Sequence, residues 1–393
     1  MNPIRIPVYR PDLTGNERRY VEACLESSWI SSKGEFIQRF EDGFAQRLDA
    51  PYATSVCNGT LALHLAMLAL GIGPGDEVIV PTLTYIASAN AVSYTGATPV
   101  FADSDRSTWQ IDPAHVERLV GPNTKAVMAV HLYGHPCDMD ALRALCDRHR
   151  LFLIEDCAEA IGTTWKGRAA GTLGDVATFS FFGNKTITTG EGGMLVTADR
   201  TLFERARRFK GQGLAEHREY WHDIVGYNYR MTNLCAAIGV AQLERLDAIL
   251  ARKRRIARLY AEGLCGLPVS LHPDCADGLH SYWMATVLVD DPAQRDPIRR
   301  RLASQGIETR PTFHPLHTMP MYSQRYQRHP VAEDVACRGI NLPSFPTLGD
   351  DEIALVRDTI RAHFEAPPEV VPFARRDGSA AGVRAALTGG RAR

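Results

Sequence analysis

This chain of 393 residues has almost no net charge, and its cysteines do not occur in closely spaced pairs. Lys and Arg number 44 against 45 Asp and Glu, so the formal net charge is only -1. That balance gives no electrostatic reason to expect a nucleic acid or an anionic membrane as partner. The nine cysteines are odd in number and form no CxxC pair. This pattern argues against a disulfide framework and a structural zinc site, and it fits a reducing cytoplasm.

Long apolar runs are also missing. No stretch approaches the roughly 20 apolar residues of a transmembrane helix, and residues 1–15 contain no apolar core of signal-peptide length. We therefore expect a protein that is neither exported nor embedded in a membrane, with the cytoplasm as its location. Apolar residues still make up 45% of the chain, which is enough to bury a large core.

The chain does contain a regular alternation of short apolar runs and helical patterns between residues 60 and 200. Strands are predicted at 77–81, 98–103, 125–132, 151–156, 177–182 and 193–197. Runs without polar alternation, such as VMAV (127–130), are typical of strands covered by helices on both faces. We therefore predict an α/β fold with a mostly parallel sheet, whose ligands bind at the carboxyl ends of the strands.

A second region follows a long helical stretch that begins near Leu234. Its predicted elements are a strand at 282–290, a helix at 297–306, a strand at 307–311 and a helix at 350–365. The predicted division is a large domain with the N-terminal segment at 1–250, a small C-terminal α+β domain at 251–365 and a tail at 366–393. We expect the tail to be flexible, because it is rich in Pro, Ala, Gly and Arg without a period.

Lys185 lies in the stretch SFFGNKTITTGEGG (180–193), between a predicted strand and a glycine-rich loop. Taken alone, it would be a surface lysine. Other residues, however, supply the groups that a site for pyridoxal 5'-phosphate (PLP) needs. Asp156 closes a buried strand and could keep the cofactor's ring nitrogen protonated, because a carboxylate bonded to that nitrogen raises its pKa. A helix cap or a turn residue is the alternative reading of Asp156.

The segment CNGTLALHL contains groups that suit a phosphate. Gly59 allows the backbone to approach closely, and Thr60 opens a predicted helix whose N–H groups would point at an anion. An ordinary helix N-cap fits the same residues. Ser180 is a second candidate phosphate ligand. Tyr85 follows the strand EVIVP and could stack on the cofactor ring or could belong to the core.

Taken in order, these and other motifs resemble the fold-type I sugar aminotransferases of the DegT, DnrJ and EryC group. The motifs are WISSKGEFIQRFE, NGTLALHLAMLALGIGPGDEVIVPTLTYIASANAV, TPVFAD, HLYGHPCDMD, EDCAEAIG, FSFFGNKTITTGEGGM, GYNYRMTNLCAAIG and RPTFHPLHTMPMY. The resemblance covers nearly the whole chain and implies a PLP-dependent aminotransferase. SFFGNKTITTGEGG and RPTFHPLHTMP look most like the members that aminate C4 of GDP-4-keto-6-deoxymannose.

The resemblance also implies a set of cofactor-binding residues: Gly59, Thr60, Tyr85, Asp156, Glu159, Ser180, Lys185 and Asn228. Within this set Lys185 would form the Schiff base and act as the catalytic base, with Asp156 at the ring nitrogen. Glu159 would lie near the phenolic oxygen, and it departs from the Gln or His that is common there. Asn228 would reach the phosphate from the other subunit of a homodimer with shared active sites.

By the same resemblance, the amino donor is L-glutamate and the acceptor a nucleotide-linked keto sugar. Arg310 and His314 could meet the sugar or its diphosphate, since Arg offers paired donors to phosphate oxygens; a loop packed on the large domain is the alternative. The N-terminal residues Tyr9, Trp29, Ser31 and Ser32 resemble segments that cover the substrate. We predict no metal site, because His131 and His135 do not share a helix face.

Three other functions are compatible with parts of this pattern. The chain could aminate a UDP- or dTDP-linked sugar, or could act at C3 rather than C4. A dehydratase on the same scaffold would remove a hydroxyl, but such relatives typically carry His where this chain has Lys185. A non-catalytic regulator would need a DNA-binding element or a strongly basic face, and the sequence contains neither.

Overall fold

The computed structural model describes residues 3–215, 217–324 and 326–365 of the chain. The predicted tail at 366–393 lies outside the described residues. The helices are α1 Glu17–Ser27, α2 Glu35–Leu48, α3 Gly59–Leu70, α4 Ala87–Tyr94, α5 Pro113–Leu119, α6 Met139–His149, α7 Arg200–Lys210, α8 Asn233–Glu244, α9 Leu246–Leu264, α10 Arg295–Ser304, α11 Pro330–Arg338 and α12 Asp350–Glu365. Within the described residues, none of these helices is both long and apolar enough to cross a membrane.

The strands divide among three sheets. They are β1 Tyr52–Val56, β2 Glu77–Pro81, β3 Thr98–Ala102, β4 Thr124–Val130, β5 Phe152–Asp156, β6 Thr164–Trp165, β7 Arg168–Ala169, β8 Val176–Ser180, β9 Gly193–Thr197, β10 Val269–Leu271, β11 Gly278–Leu279, β12 Ala285–Val289, β13 Arg310–Pro311 and β14 Gly339–Leu342. A seven-stranded sheet has the order β1-β9-β8-β5-β4-β2-β3, and a four-stranded sheet has the order β10-β12-β14-β13. The third sheet, β11-β6-β7, is short.

The seven-stranded sheet is mostly parallel, which confirms the predicted α/β fold. The pairs β2 with β3, β2 with β4, β4 with β5 and β5 with β8 are parallel, and only β9 runs antiparallel to its neighbours β1 and β8. The register sets Asp156 of β5 opposite Val130 of β4 and Thr178 of β8. The carboxyl ends of three adjacent strands therefore open at one edge of the sheet.

Both faces of this sheet are covered by helices, as the lack of polar alternation predicts. Successive residues of a strand point to opposite faces: Val78 and Val80 pack in the cluster that holds most of α3, whereas Ile79 packs in the cluster that holds the buried face of α6. Next to β8 and β9, the aromatic residues Phe40 and Phe44 of α2 fill a third cluster with α8. The strands therefore sit between two helical layers.

Several strand predictions were too long, including the one at 282–290, which is reduced to Ala285–Val289. Two of the others have an identifiable cause. The strand predicted at 125–132 ends at Val130, because the chain then turns through a short 3-10 helix in which Tyr133 has a positive φ of 56°. The strand predicted at 307–311 is reduced to Arg310–Pro311, because Ile307 and Glu308 pair instead with Ile6 of the N-terminal segment. Local β-propensity could not reveal this long-range partner.

The four-stranded antiparallel sheet packs against α9, α10 and α12 through a core that includes Tyr260, Leu302 and Ile360. The predicted domain boundary at residue 250 falls inside α9, which runs unbroken from Leu246 to Leu264. Ile249 belongs to the core beside the seven-stranded sheet, whereas Ile256 belongs to the core of the four-stranded sheet. One continuous helix thus contributes to both cores, and the division into two domains stays a prediction.

Phe40 tests the packing of α2 on the large sheet. Its ring is 0% exposed, lies 5.0 Å from the ring of Phe181 and rests against Gly239 of α8. We expect Phe40→Ala to lower the free energy of unfolding by about 3–5 kcal/mol, because the cavity adds to the lost burial. Denaturant unfolding measures the loss. Leu25→Ala, at a side chain of α1 that is 59% exposed, should change the free energy by less than about 0.5 kcal/mol.

Candidate active site

A cavity of about 490 Å³ opens at the carboxyl edge of the seven-stranded sheet. It is lined by seven residues of the predicted cofactor set: Gly59, Thr60, Tyr85, Asp156, Glu159, Ser180 and Lys185. They come from α3, from the loops after β2 and β5, and from the end of β8 and the loop that follows it. A mostly parallel sheet with helices on both faces is expected to collect ligands at this edge.

The floor of the cavity near α3 is shaped for a compact anion. Asn58, rather than Thr60, caps the helix: its side chain accepts a hydrogen bond from the Leu61 N–H at 2.9 Å. α3 therefore begins at Gly59 with its positive end toward the cavity. A Cβ on Gly59 would lie only 2.6 Å from Cβ of Ser180, so the start of α3 and the end of β8 approach each other as closely as glycine allows. The cradle suits a phosphate held by Gly59, Thr60 and Ser180.

Asp156 is buried at the end of β5, and both of its oxygens are engaged. The Ser88 hydroxyl of α4 donates to Oδ2 at 2.8 Å, and the Ala158 N–H donates to Oδ1 at 3.1 Å. Burial raises the pKa of Asp156, and the hydrogen bonds and the charge of Lys185 oppose that rise. A cationic ring nitrogen in the cavity would likewise favour the ionised carboxylate.

Lys185 reaches two groups with its amine. Its Nζ lies 3.6 Å from Oε1 of Glu159 and 4.1 Å from the ring centre of Trp283. The backbone around it is held from distant parts of the chain: the Tyr9 hydroxyl donates to the Lys185 carbonyl, and the Trp283 indole N–H donates to the Asn184 carbonyl at 2.7 Å. The lysine is therefore fixed at its main chain and at its amine.

Glu159 is buried, and its second oxygen, Oε2, accepts the Tyr133 N–H at 2.8 Å. Burial raises its pKa to about 7, even though the nearby charge of Lys185 acts in the opposite direction. A carboxyl group that titrates near neutrality beside an amine is suited to proton transfer.

A buried hydrogen-bonded network around Glu155 holds the end of β5 in place. Glu155, the residue before Asp156, accepts the N–H groups of Gly171, Leu173 and Gly174 at 2.7–2.8 Å. His131, at the end of β4, contributes its Nε2 at 3.0 Å from the same carboxylate. His135, with which it shares a metal-like spacing, instead contacts the Pro136 carbonyl. The network links three chain segments at the point where Asp156 enters the cavity.

The remaining predicted site residues do not line this cavity among the residues that the structure describes. They are Tyr9, Trp29, Ser31, Ser32, Asn228, Arg310 and His314. Tyr9 still touches the site through the Lys185 carbonyl. Asn228 accepts a hydrogen bond from its near neighbour Arg230, and Arg310 is exposed and paired with Glu308. Their predicted roles stay predictions.

The N-terminal loop that carries Trp29, Ser31 and Ser32 is mostly exposed, but hydrogen bonds attach it to α8. Asn233, the first residue of α8, donates from its side chain to the Trp29 carbonyl at 2.7 Å and from its backbone to the Ser31 carbonyl at 2.6 Å. His314 lines a separate groove beside α10 with Arg295 and Arg299.

Sequence reasoning missed several residues that shape the cavity. Trp283 was assigned only to a strand, and Ser88 was not singled out, yet the first contacts Lys185 and the second Asp156. Phe313 also lines the cavity and stacks on Tyr133 with 5.4 Å between ring centres. The one usable signal was the position of Ser88 just after the strand that ends at Pro81, because residues there reach the ligand edge of the sheet.

Known proteins identify the class to which this fold and site belong. The solved structure of the aminotransferase TlmJ from Streptoalloteichus hindustanus matches with a TM-score of 0.88 and 36% identity, covering 92% of this chain and 99% of that one. The Spr1654 protein of Streptococcus pneumoniae, solved in a PLP form, matches with a TM-score of 0.87 and 28% identity, covering 92% and 98%. The chain is a PLP-dependent aminotransferase of fold-type I.

The family follows from sequence. The model of the DegT/DnrJ/EryC1/StrS aminotransferase family matches residues 11–361, and the chain belongs to that family. GDP-perosamine synthase of Escherichia coli O157:H7 is 58% identical over 359 residues, 91% of this chain and 98% of that protein. GDP-perosamine synthase of Vibrio cholerae is 52% identical over 363 residues, 91% of this chain and 99% of that protein.

The described residues fit PLP on two structural grounds. The close approach of Gly59 to Ser180 leaves an anion cradle that any larger residue would fill. Oδ1 of Asn184, which also lines the cavity, is buried and has no hydrogen-bond partner within the described part of the chain. A polar ligand in the cavity would relieve the cost of leaving that atom unpaired.

Gly59→Ala tests the phosphate cradle. The added Cβ would collide with Ser180, including its Cα at 3.2 Å, so α3 would have to move away from β8. We expect the dissociation constant for PLP to rise about tenfold or more, which corresponds to about 1.4 kcal/mol. A titration of the apoprotein with PLP measures it. Gly73→Ala is the matched control, because its nearest neighbour would be 3.9 Å away; equal affinities in the two variants would contradict the cradle.

Trp283→Phe tests the support of the lysine loop. Phe keeps an aromatic face near Nζ of Lys185 but loses the N–H that bonds the Asn184 carbonyl. Leaving a carbonyl unpaired costs about 1–3 kcal/mol, so we expect PLP affinity to fall about tenfold. Trp165→Phe, at a buried tryptophan outside the cavity, should leave the affinity unchanged. An unaltered affinity in Trp283→Phe would show that the bond does not support the loop.

Proposed function

We propose that this enzyme transfers an amino group from L-glutamate to C4 of GDP-4-keto-6-deoxymannose, giving GDP-perosamine. The observation that carries the proposal is the similarity to three relatives named GDP-perosamine synthase, at 58%, 52% and 50% identity. The alignments cover 95–99% of those proteins, so the similarity extends over nearly their whole length.

Different residues of this chain would bind the phosphate, the ring and the ring nitrogen of the cofactor. When bound, PLP supplies an electron sink for the amino-acid substrate. Gly59, Thr60 and Ser180 would hold its phosphate, and Tyr85 would cover its ring. Asp156, held by Ser88 and Ala158, would keep the ring nitrogen protonated.

Lys185 performs the proton transfer in this proposal. Its amine is the only lysine nitrogen in the described lining of the cavity. It would accept the proton that leaves the α-carbon of the amino donor and deliver that proton to a carbon atom of the cofactor. The burial of Glu159 and Trp283 around the amine keeps water away from it. Tyr9 and Trp283 keep the loop in place during the reaction.

We further propose that two copies of the chain share their active sites. Apolar and aromatic side chains are exposed at the mouth of the cavity, where Tyr85 and Tyr94 are each 56% exposed and Phe182 is 49% exposed. Such a patch is typical of a surface that a second protein covers. Asn228 of the partner subunit would then reach the phosphate, although Asn228 of the same chain lies away from the cavity. A cytoplasmic location fits an enzyme that uses nucleotide sugars and glutamate.

The experiment that tests the substrate is a panel of keto sugars linked to GDP, UDP or dTDP. We expect amination, followed by mass spectrometry, only with GDP-4-keto-6-deoxymannose and L-glutamate. Amination of a UDP- or dTDP-linked sugar instead, or at C3, would replace the proposed substrate while leaving the class of enzyme intact. Loss of the hydroxyl without gain of nitrogen would indicate a dehydratase.

Lys185→Ala tests the catalytic lysine. We expect turnover to fall by roughly 10³-fold or more, because the proton acceptor is removed, while pyridoxamine phosphate still binds. Lys166→Ala is the control, since that lysine is exposed and pairs with Asp140 outside the cavity. Turnover by Lys185→Ala at the wild-type rate would disprove the assignment.

A further inference from the structure

Glu159 and Lys185 form a pair whose geometry differs from a surface ion pair. Both side chains are shielded, with exposed fractions of 5% for Glu159 and 11% for Lys185, and the contact between Oε1 and Nζ is 3.6 Å. Oε2 of Glu159 is already committed to the Tyr133 N–H. The free oxygen of the carboxyl group is therefore the one that faces the amine.

Among the residues that the structure describes, the surroundings of Glu159 contain one positive group and one further acidic group. Lys185 is the cation, Asp156 is the second acid, and the Tyr133 hydroxyl is engaged with the Phe313 N–H at 3.0 Å. Trp283 adds no charge, and its ring centre lies 4.1 Å from Nζ of Lys185. Lys185 is thus the one cation in the described part of the chain that stabilises Glu159 as a carboxylate, beside the hydrogen bond from the Tyr133 N–H.

We propose that Glu159 is the proton partner of Lys185: it is ionised while the lysine is an ammonium and takes up a proton when the amine loses its charge. The step is a transfer of one proton, in which an N–H bond at Nζ breaks and an O–H bond at Oε1 forms. No oxidant, reductant or further reactant is needed. A glutamine at this position could accept the Tyr133 N–H but could not carry the proton.

The electrostatic reason is the cost of a lone buried charge. Once Lys185 is neutral or covalently occupied, an ionised Glu159 would be a buried anion beside Asp156 with no cation in contact. Burial already raises its pKa to about 7 in the presence of the ammonium group. Removing the cation can only raise that pKa further, so Glu159 becomes the protonated member of the pair at neutral pH.

This inference requires only that Lys185 and Glu159 are in contact, and it rests on the proposed function solely for the step in which the proton is used. The first experiment therefore uses the apoprotein, without cofactor or sugar. Infrared spectroscopy detects a protonated carboxyl group directly. If the enzyme were to act on another sugar, this measurement would not change.

The variants compared are Lys185→Met, which removes the cation at similar volume, and Lys185→Arg, which keeps it. In Lys185→Met we expect a protonated carboxyl band that persists about 1–3 pH units higher than in the wild type, because an opposite charge in contact shifts a carboxyl pKa by that amount. Lys185→Arg should resemble the wild type. Lys166→Met, at an exposed lysine, is the control for removal of a lysine.

The double variant Lys185→Met with Glu159→Gln assigns the band. It should lose the band, whereas Lys185→Met with Glu191→Gln, which changes an exposed glutamate of the same cavity, should keep it. A band that survives Glu159→Gln would place the proton on a different carboxyl group and overturn the proposal. A Lys185→Met spectrum identical to the wild type across the pH range would overturn it as well.

The second experiment measures use of the proton in the complete enzyme. We expect Glu159→Gln to lower kcat about tenfold or more while leaving KM for the amino donor within about threefold, because general acid-base partners act in the transition state rather than in binding. The number of protons released when PLP is added to the apoprotein should be higher in Glu159→Gln than in the wild type, by up to one per site. A change in KM or PLP affinity alone would indicate a structural role and contradict the proposal.

Discussion

The site depends on the burial of carboxyl groups at the end of one strand. Parallel pairing of β5 with β4 and β8 brings Asp156 to the edge of the sheet beside Val130 and Thr178. Glu155 of the same strand accepts three backbone N–H groups from the segment 171–174, and these bonds hold the strand end in place. Because a buried carboxylate is costly unless it is bonded or paired, each acidic residue here has a defined partner.

Those partners give Asp156 and Glu159, two acidic residues of the cavity, different environments. Asp156 is held by two hydrogen bonds, and a cofactor cation would complete its environment. Glu159, three residues later in the chain, has one backbone hydrogen bond and the amine of Lys185. Two acids in one cavity therefore have different environments, and groups whose surroundings differ in this way are suited to different tasks in a reaction.

The local part of this arrangement could be predicted from sequence. Asp156 ends an apolar strand and Lys185 follows the next one, and the ligand edge of a parallel sheet collects both. The contacts of Trp283 and Tyr9 with the lysine loop could not be predicted in this way, because their partners lie 99 and 176 residues away in the chain. The same limit explains the shortened strand at Arg310–Pro311, where Ile307 pairs with Ile6 at the other end of the chain. Local patterns indicated the elements, but long-range pairing decided their length and contacts.

The support of Lys185 by distant segments has a mechanistic consequence. Trp283 is joined to the turn after β4 by a hydrogen bond from its backbone N–H to the Tyr133 carbonyl at 3.0 Å, and Tyr133 in turn donates to Glu159. A displacement of Trp283 would therefore alter both the amine of Lys185 and the carboxyl group that faces it. Since Trp283 lies just before β12 of the four-stranded sheet, a shift of that sheet would also move the groups that surround the lysine. The acid-base pair is thus set by the whole fold and not by the glycine-rich loop alone.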